Sequence, residues 1–206
     1  MSATLTPLRI ADDVFEFQVE TSQHAQALAD ELRSAGLAED IVAGLDRVSV
    51  RFDPARTKQV ETWLSSIRSI NLPDQTARPV IDILVQYGGE FGPDLDAICE
   101  AMELSPEAFI EVHTGAEHEV EMIGFIPGFS YISGLPETFQ IPRLGRPRAR
   151  VPAGSIGISA AFTGIYALAG PGGWPLIGRT PDRLFDPDAA DPFRLRPGQR
   201  VRFKAV

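Results

Sequence analysis

The sequence predicts an α+β protein built in two parts: a small ferredoxin-like α+β sandwich over residues 1–76 and an antiparallel β-barrel over residues 77–206. Three observations lead there. Residues 13–70 read as strand, helix, strand, helix. The polar stretch 71–78, with Pro73, Asp74 and Thr76, then reads as a linker. Beyond Val120 the chain breaks into short apolar pieces punctuated by glycine and proline, the pattern of an antiparallel barrel.

The elements follow in order. Asp13 to Glu20 alternates apolar and polar residues with the period of a half-buried strand. Ser22 is a suitable N-cap for a helix whose Ala25, Leu28, Ala29 and Leu32 share one face, and Gly36 ends it. Asp46 to Phe52 alternates again, and a second helix is expected from about Arg56 to Ile70. The apolar run Pro79 to Val85 opens the second part. A glycine-rich turn from Tyr87 to Pro93 leads to Asp94, the expected N-cap of a helix carrying Leu95, Ile98, Cys99 and Met102. Ser105-Pro106-Glu107 starts another helix with a cap, a proline at the first position and an acid in the first turn.

Composition narrows the class. With 44% hydrophobic and 23% charged residues among 206, the chain is globular rather than disordered. A single cysteine, Cys99, rules out an internal disulfide framework and fits a reducing compartment. The N-terminus has neither the basic start nor the apolar core of a secretory signal, so a cytoplasmic location is expected. Val151 to Gly178 is 28 residues without a charge, but ten of these are Gly or Pro. In hydrocarbon such a segment would leave backbone groups unpaired, so short strands joined by tight turns are expected instead of a membrane span.

Charge is unevenly placed. Gly124 to Thr180 holds 11 of the 18 glycines and five arginines against one acid, Glu137, so it is +4 within a chain of net −9 and the remaining 149 residues are −13. A cationic site inside an anionic protein favours a small anion over nucleic acid, which the surrounding field repels. Pro142 to Arg150 places Arg143, Arg146, Arg148 and Arg150 in eight residues, and a guanidinium fork matches carboxylate or phosphate in a bidentate way. The alternative is a solvated basic loop.

Few residues have the setting that catalysis requires. Cys99 sits at helical spacing with Leu95 and Met102, which marks a buried structural thiol. His24 lies on a polar helix face. His113 ends the helix begun at Ser105, where it can act as a general acid or base or interact with the helix dipole. His113 and His118 have no third ligand in sequence, so no metal site is expected. Phosphate loops of known spacing and the GxSxG elbow are both absent, and Ser155 has no base beside it in sequence. Pro171-Gly172-Gly173-Trp174 reads as a tight turn carrying an aromatic.

Longer strings carry a resemblance. GFIPGFSYISGL (124–135), PRLGRPRARVPAGSIGI (142–158), TGIY (163–166) and PGGWPLIGRTP (171–181), with YGGEFGPDL (87–95) and VSVRFDP (48–54) upstream, closely resemble the KipI family. Its members are also called allophanate hydrolase subunit 1-like proteins, and the B subunit of 5-oxoprolinase. The likeness spans nearly the whole chain; Gln199 and Ala167 depart from it, where Asp and Pro are expected.

The resemblance implies that the barrel is cyclophilin-like and that its concave face is the binding surface. By position the site would comprise Phe125, Pro127, Phe129, Tyr131, Arg143, Arg148, Arg150 and Trp174, with His113 as proton carrier. The activity implied is ATP-dependent opening of 5-oxoproline to glutamate. The partners would be a related barrel protein, called allophanate hydrolase subunit 2-like or the 5-oxoprolinase C subunit, and a third protein, the 5-oxoprolinase A subunit. ATP would then occupy a site shared with a partner. Two alternatives stay open: an inhibitor of a sensor histidine kinase, and a component associated with allophanate hydrolase or urea amidolyase.

Overall fold

Phe15 and Phe17 alternate with polar residues along one strand and Val48 and Val50 along another; the register sets Phe15 opposite Val50 and Phe17 opposite Val48, so all four side chains share one sheet face. In the computed structural model, whose described residues are 5–67, 70, 72 and 79–206, that face is the core of the first of two compact units, Met1–Thr76 and Ala77–Val206.

The first unit contains β1 (Leu8–Ala11), β2 (Val14–Gln18), α1 (Ser22–Ser34), β3 (Asp40–Ala43), β4 (Arg47–Arg51), a 3-10 turn at Pro54–Arg56 and α2 (Thr57–Ser66). Ala25, Leu28, Ala29 and Leu32 of α1 and Val60 and Leu64 of α2 are buried with the sheet's apolar residues. Burying each of the leucines and the valine contributes about 1.5–3 kcal/mol.

The ferredoxin-like expectation does not match the sheet. Its order is β1-β2-β4-β3 with antiparallel neighbours, and the chain runs strand, strand, helix, strand, strand, helix. The two strands that the periodicity did not reveal are both at edges. All four residues of β1 are exposed, and β3 buries none fully, so neither carries an alternating burial signal. Thr21, not Ser22, caps α1: its hydroxyl oxygen accepts the His24 N–H at 3.3 Å, and Ser22 is buried as the first helical residue. The expected linker 71–78 lies, apart from Leu72, outside the described residues.

The second unit runs β5 (Ile81–Tyr87), α3 (Leu95–Ala101), α4 (Pro106–Gly115), β6 (His118–Ile123), β7 (Ser130–Ser133), β8 (Arg148–Val151), β9 (Ser155–Ser159), β10 (Phe162–Ile165), β11 (Gly170–Gly172), β12 (Leu176–Arg179) and β13 (Arg200–Ala205). Seven strands close a barrel in the order β10-β7-β6-β13-β5-β12-β9, while β8 and β11 pair separately as a two-stranded ribbon. The barrel is not wholly antiparallel, because β13 runs parallel to β5, Val201 facing Ile81 and Ala205 facing Val85. Alternation marks which residues point inward, but it does not record the direction of the neighbouring strand.

Ile83, Val85, Ile132, Ile156, Ile158, Ile165, Val201 and Phe203 belong to the barrel core, joined by Leu95 and Ile98 of α3 and Phe109 of α4. Cys99 is buried in this cluster, and desolvation raises its thiol pKa, so it stays protonated and structural. Ser105 caps α4 as its spacing indicates, accepting the Ala108 N–H at 3.2 Å with Pro106 at the first helical position. The uncharged run 151–178 is distributed over the end of β8 and the strands β9 to β12. No helix among the described residues is long and apolar enough to cross a membrane.

Candidate functional site

The site begins with missing side chains. Gly157 of β9 faces Gly164 of β10, which in turn faces Tyr131 of β7. The neighbours Ile156, Ile158 and Ile165 point into the barrel core, so the two glycines present bare backbone on its outer face. A Cβ at Gly164 would lie 2.6 Å from Trp174 Cζ3 and 2.7 Å from Phe129 Cζ, and one at Gly157 would lie 3.0 Å from Trp174 Cβ. The indole therefore settles onto the strands at a depth that only glycine permits.

Around it a second, outer cluster forms from Phe129, Val151, Tyr166, Trp174 and Leu176. Phe129 is the hub, making edge contacts with Phe125, Tyr131, Tyr166 and Trp174 at centroid distances of 4.9–5.6 Å. Edge-to-face pairs put the positive ring rim against a negative face and hold the rings in fixed orientations. Between these rings and the β8–β11 ribbon is a cavity of about 320 Å³, a size suited to a small ligand. Its walls are Phe125, Phe129, Tyr131, Tyr166 and Trp174, its rim Arg143, Leu144 and Pro147, and its far side Pro171 to Gly173.

Arg143 is the cation of this cavity. It is exposed and makes no ion pair with any described residue, so its guanidinium is available to an anion. Its loop is anchored by the Leu144 N–H, which donates to the Gly173 carbonyl at 2.7 Å. Burial raises the pKa of both the Tyr131 and Tyr166 hydroxyls, with the positive field of Arg143 acting the other way. Both hydroxyls are thus neutral and able to donate a hydrogen bond at neutral pH.

Five residues expected from the sequence motifs line this one cavity: Phe125, Phe129, Tyr131, Arg143 and Trp174. Pro127 and Arg150 are exposed but do not line it. Arg148 is drawn elsewhere: its Nη2 donates to Asp94 Oδ1 at 2.8 Å, while Asp94 Oδ2 accepts the Leu176 N–H at 2.7 Å. Asp94 therefore does not cap α3 with its side chain; its carboxylate ties the ribbon to the barrel instead. Arg148 Nη1 is buried without a hydrogen-bond partner, beside the cavity rather than in it.

His113 is corrected more sharply. It is fully buried, with Nδ1 2.7 Å from the Tyr87 hydroxyl and Nε2 3.0 Å from Thr163 Oγ1, and it packs against Phe203 at 4.5 Å between ring centroids. Burial, and then the neighbouring His118, push its pKa well below the ordinary histidine value. The ring is a neutral core element linking α4, β5 and β10, away from the cavity wall. Its position at a helix end resembled an exposed one because sequence does not show that α4 ends inside the second unit's core.

Leu144, Pro147, Tyr166 and Pro171 to Gly173 complete the lining, and the sequence motifs do not mark them as binding residues. They lie within the strings TGIY, PGGWP and PRLGRPRAR, and that placement is the signal that could have found them. Among the described residues no group of His, Cys, Asp and Glu could hold a metal ion.

Comparison with known proteins gives this geometry a context. The family model "Carboxyltransferase domain, subdomain C and D" matches residues 9–195. The chain is 47% identical over 129 residues to the 5-oxoprolinase B subunit of Bacillus subtilis, a match covering 63% of this chain and 54% of that protein. To the 5-oxoprolinase B subunit of Haemophilus influenzae it is 37% identical over 191 residues, 90% of this chain and 87% of the relative. The solved structure of TTHA0988 superposes with a TM-score of 0.81 at 32% identity, covering 94% of this chain and 40% of that one. The matched stretch thus spans about half of the Bacillus relative and less than half of TTHA0988.

Proposed function

Because the chain belongs to the carboxyltransferase subdomain C and D family and has relatives named as the B subunit of 5-oxoprolinase, we propose that it is the B-type component of an ATP-dependent 5-oxoprolinase complex. The observation that carries this reading is the cavity itself: an aromatic recess of about 320 Å³ with one unpaired guanidinium at its rim. Such a recess suits a small ring bearing a carboxylate.

In this reading the five-membered ring of 5-oxoproline lies against Trp174, Phe129 and Tyr131, and Arg143 holds its carboxylate in a bidentate pair. The neutral Tyr131 hydroxyl is placed to donate to the lactam oxygen or to water. A lactam carbonyl is a poor electrophile, and ATP supplies the phosphoryl group that converts its oxygen into a leaving group. One water adds to that carbon and the ring C–N bond breaks with a proton going to nitrogen, leaving an acyl phosphate; a second water hydrolyses it to glutamate and inorganic phosphate. This chain's part is to orient the ring and exclude water from its apolar face. The remaining contacts to ATP are assigned to the A- and C-type partners, so that the chain contributes half of a shared site and is inactive alone.

The test is to co-purify the chain with those partners and measure ATP-dependent glutamate formation from 5-oxoproline. Arg143→Ala removes a charge-assisted pair worth about 1.5–3 kcal/mol, which corresponds to roughly a 10- to 100-fold loss in kcat/KM. Unchanged turnover in that variant would remove the cavity from the reaction. Absence of turnover in the wild-type assembly would count against the 5-oxoprolinase reading itself.

A further inference from the structure

Three described residues of the second unit that carry a side chain have positive φ, Glu103, Phe125 and Ala160, and of these Phe125 lines the cavity. Phe125 has φ +68°, a left-handed conformation that residues with a Cβ rarely adopt. It is the centre of a three-residue turn closed by the Ile126 N–H donating to the Gly124 carbonyl at 2.8 Å. A turn with that hydrogen bond and a positive central φ is the rare, strained form of the γ-turn. The ring it carries is 61% exposed, yet it lines the cavity and makes an edge contact with Phe129 at 5.6 Å.

Three features make this more than a loop irregularity. Glycine, which would adopt the conformation freely, is present on both flanks, at Gly124 and Gly128, but not at the strained position. A large apolar side chain is kept in water there, where its hydrophobic gain on folding is small. The same turn is fastened to the cavity's hub, because the Gly124 N–H donates to the Phe129 carbonyl at 3.1 Å and the Phe129 N–H to the Ile126 carbonyl at 3.0 Å. Strain that persists in a structure so tightly tied down is strain that the surroundings impose, and such outliers cluster at ligand-binding positions.

We propose that Phe125 is an affinity-determining residue of this cavity, its strained γ-turn holding the ring over the mouth as an outer wall that closes on a small carboxylate-bearing ring. The ligand class rests on the 5-oxoprolinase reading; the wall itself does not. With the ring in place, a ligand seated on Trp174 and Phe129 is covered on its outer side and Arg143 meets its carboxylate in a less hydrated setting, which strengthens the pair. Without it, the cavity opens to solvent along one side. The backbone strain held at Phe125 therefore serves binding and not folding.

The consequence is a trade-off that a merely structural role would not produce. In a Trp63→Phe background, Trp174 is the sole tryptophan of the 206-residue chain and reports on the cavity. Phe125→Ala removes the ring and keeps the strained backbone; Phe125→Gly removes both. Both variants are expected to bind 5-oxo-L-proline about tenfold more weakly, followed by Trp174 fluorescence, and both are expected to show increased acrylamide quenching of Trp174. Phe125→Gly is expected to melt about 2–4 °C above Phe125→Ala, since glycine relieves the positive φ.

Quenching unchanged in both variants would overturn the wall, as would 5-oxoproline binding as tight in Phe125→Ala as in the parent. Equal melting temperatures for the two variants would overturn the strained turn. If quenching rises but the parent itself binds no 5-oxoproline, the wall stands and the assigned ligand class falls.

Discussion

At the scale of single residues, the site depends on atoms that are absent. Gly164 and Gly157 permit Trp174 to lie against the barrel wall, and their absent Cβ atoms define the depth of the cavity. Gly164→Ala would put a methyl group 2.6 Å from the indole and 2.7 Å from Phe129. Overpacking of this kind costs about 1–3 kcal/mol. The expected outcome is a lower melting temperature together with displacement of Trp174 into the cavity, checked by calorimetry and by a shift in tryptophan emission. A substitution to alanine that left both unchanged would mean that the strands yield without cost. The glycine count was visible in the sequence as a compositional anomaly, but which two glycines bear the tryptophan depended on the cross-strand register.

At the scale of elements, α4 shows how a helix end is used. Its last turn places His113 between β5 and β10, satisfied by the Tyr87 and Thr163 hydroxyls, with the His118 ring adjacent at 5.2 Å between centroids. His118 in turn bonds the carbonyls of Ser133 and His113 through its two ring nitrogens, at 2.8 and 2.7 Å. Because His113 is buried neutral, its folded pKa lies below the ordinary value of 6.5 while the unfolded chain retains that value. Well above pH 6.5 neither state binds the proton and the contribution is constant. As pH falls below that, the unfolded state takes up a proton that the folded state refuses, so stability declines by up to about 1.4 kcal/mol per pH unit until the folded pKa is reached. Urea unfolding between pH 7 and 5 is expected to show this slope, and His113→Gln to flatten it at the cost of lower stability overall. A slope identical in both proteins would assign the pH dependence to other groups.

At the scale of the whole molecule, every cavity-lining residue belongs to Ala77–Val206, which has its own barrel core and its own outer aromatic cluster. The first unit likewise holds a core of its own around Phe17, Leu28 and Val50. The expected outcome is that residues 77–206 expressed alone fold cooperatively and retain ligand binding at Trp174, measured by circular dichroism and fluorescence. Failure to fold would show that the barrel depends on residues of the first unit. Retained folding and binding would show that the cavity forms without the first unit.

Much was decided by the sequence alone. The burial periodicity of β2 and β4, the faces of α1 and α3, and the Ser105 cap are local consequences of residue order, because they depend on contacts within a few residues. The ordered strings from Gly124 to Pro181 were sufficient to identify the family, since most are long and they follow one another in a specific order. Tertiary structure alone decided the rest. It placed β1 and β3 at sheet edges, where exposure erases the alternating signal, and turned β13 parallel to β5. It also diverted the Asp94 carboxylate from its helix to Arg148, buried His113, and selected Arg143 from four neighbouring arginines as the one on the cavity rim. Each of these depends on which distant residues meet, and the free energy that separates the alternatives resides in those long-range contacts.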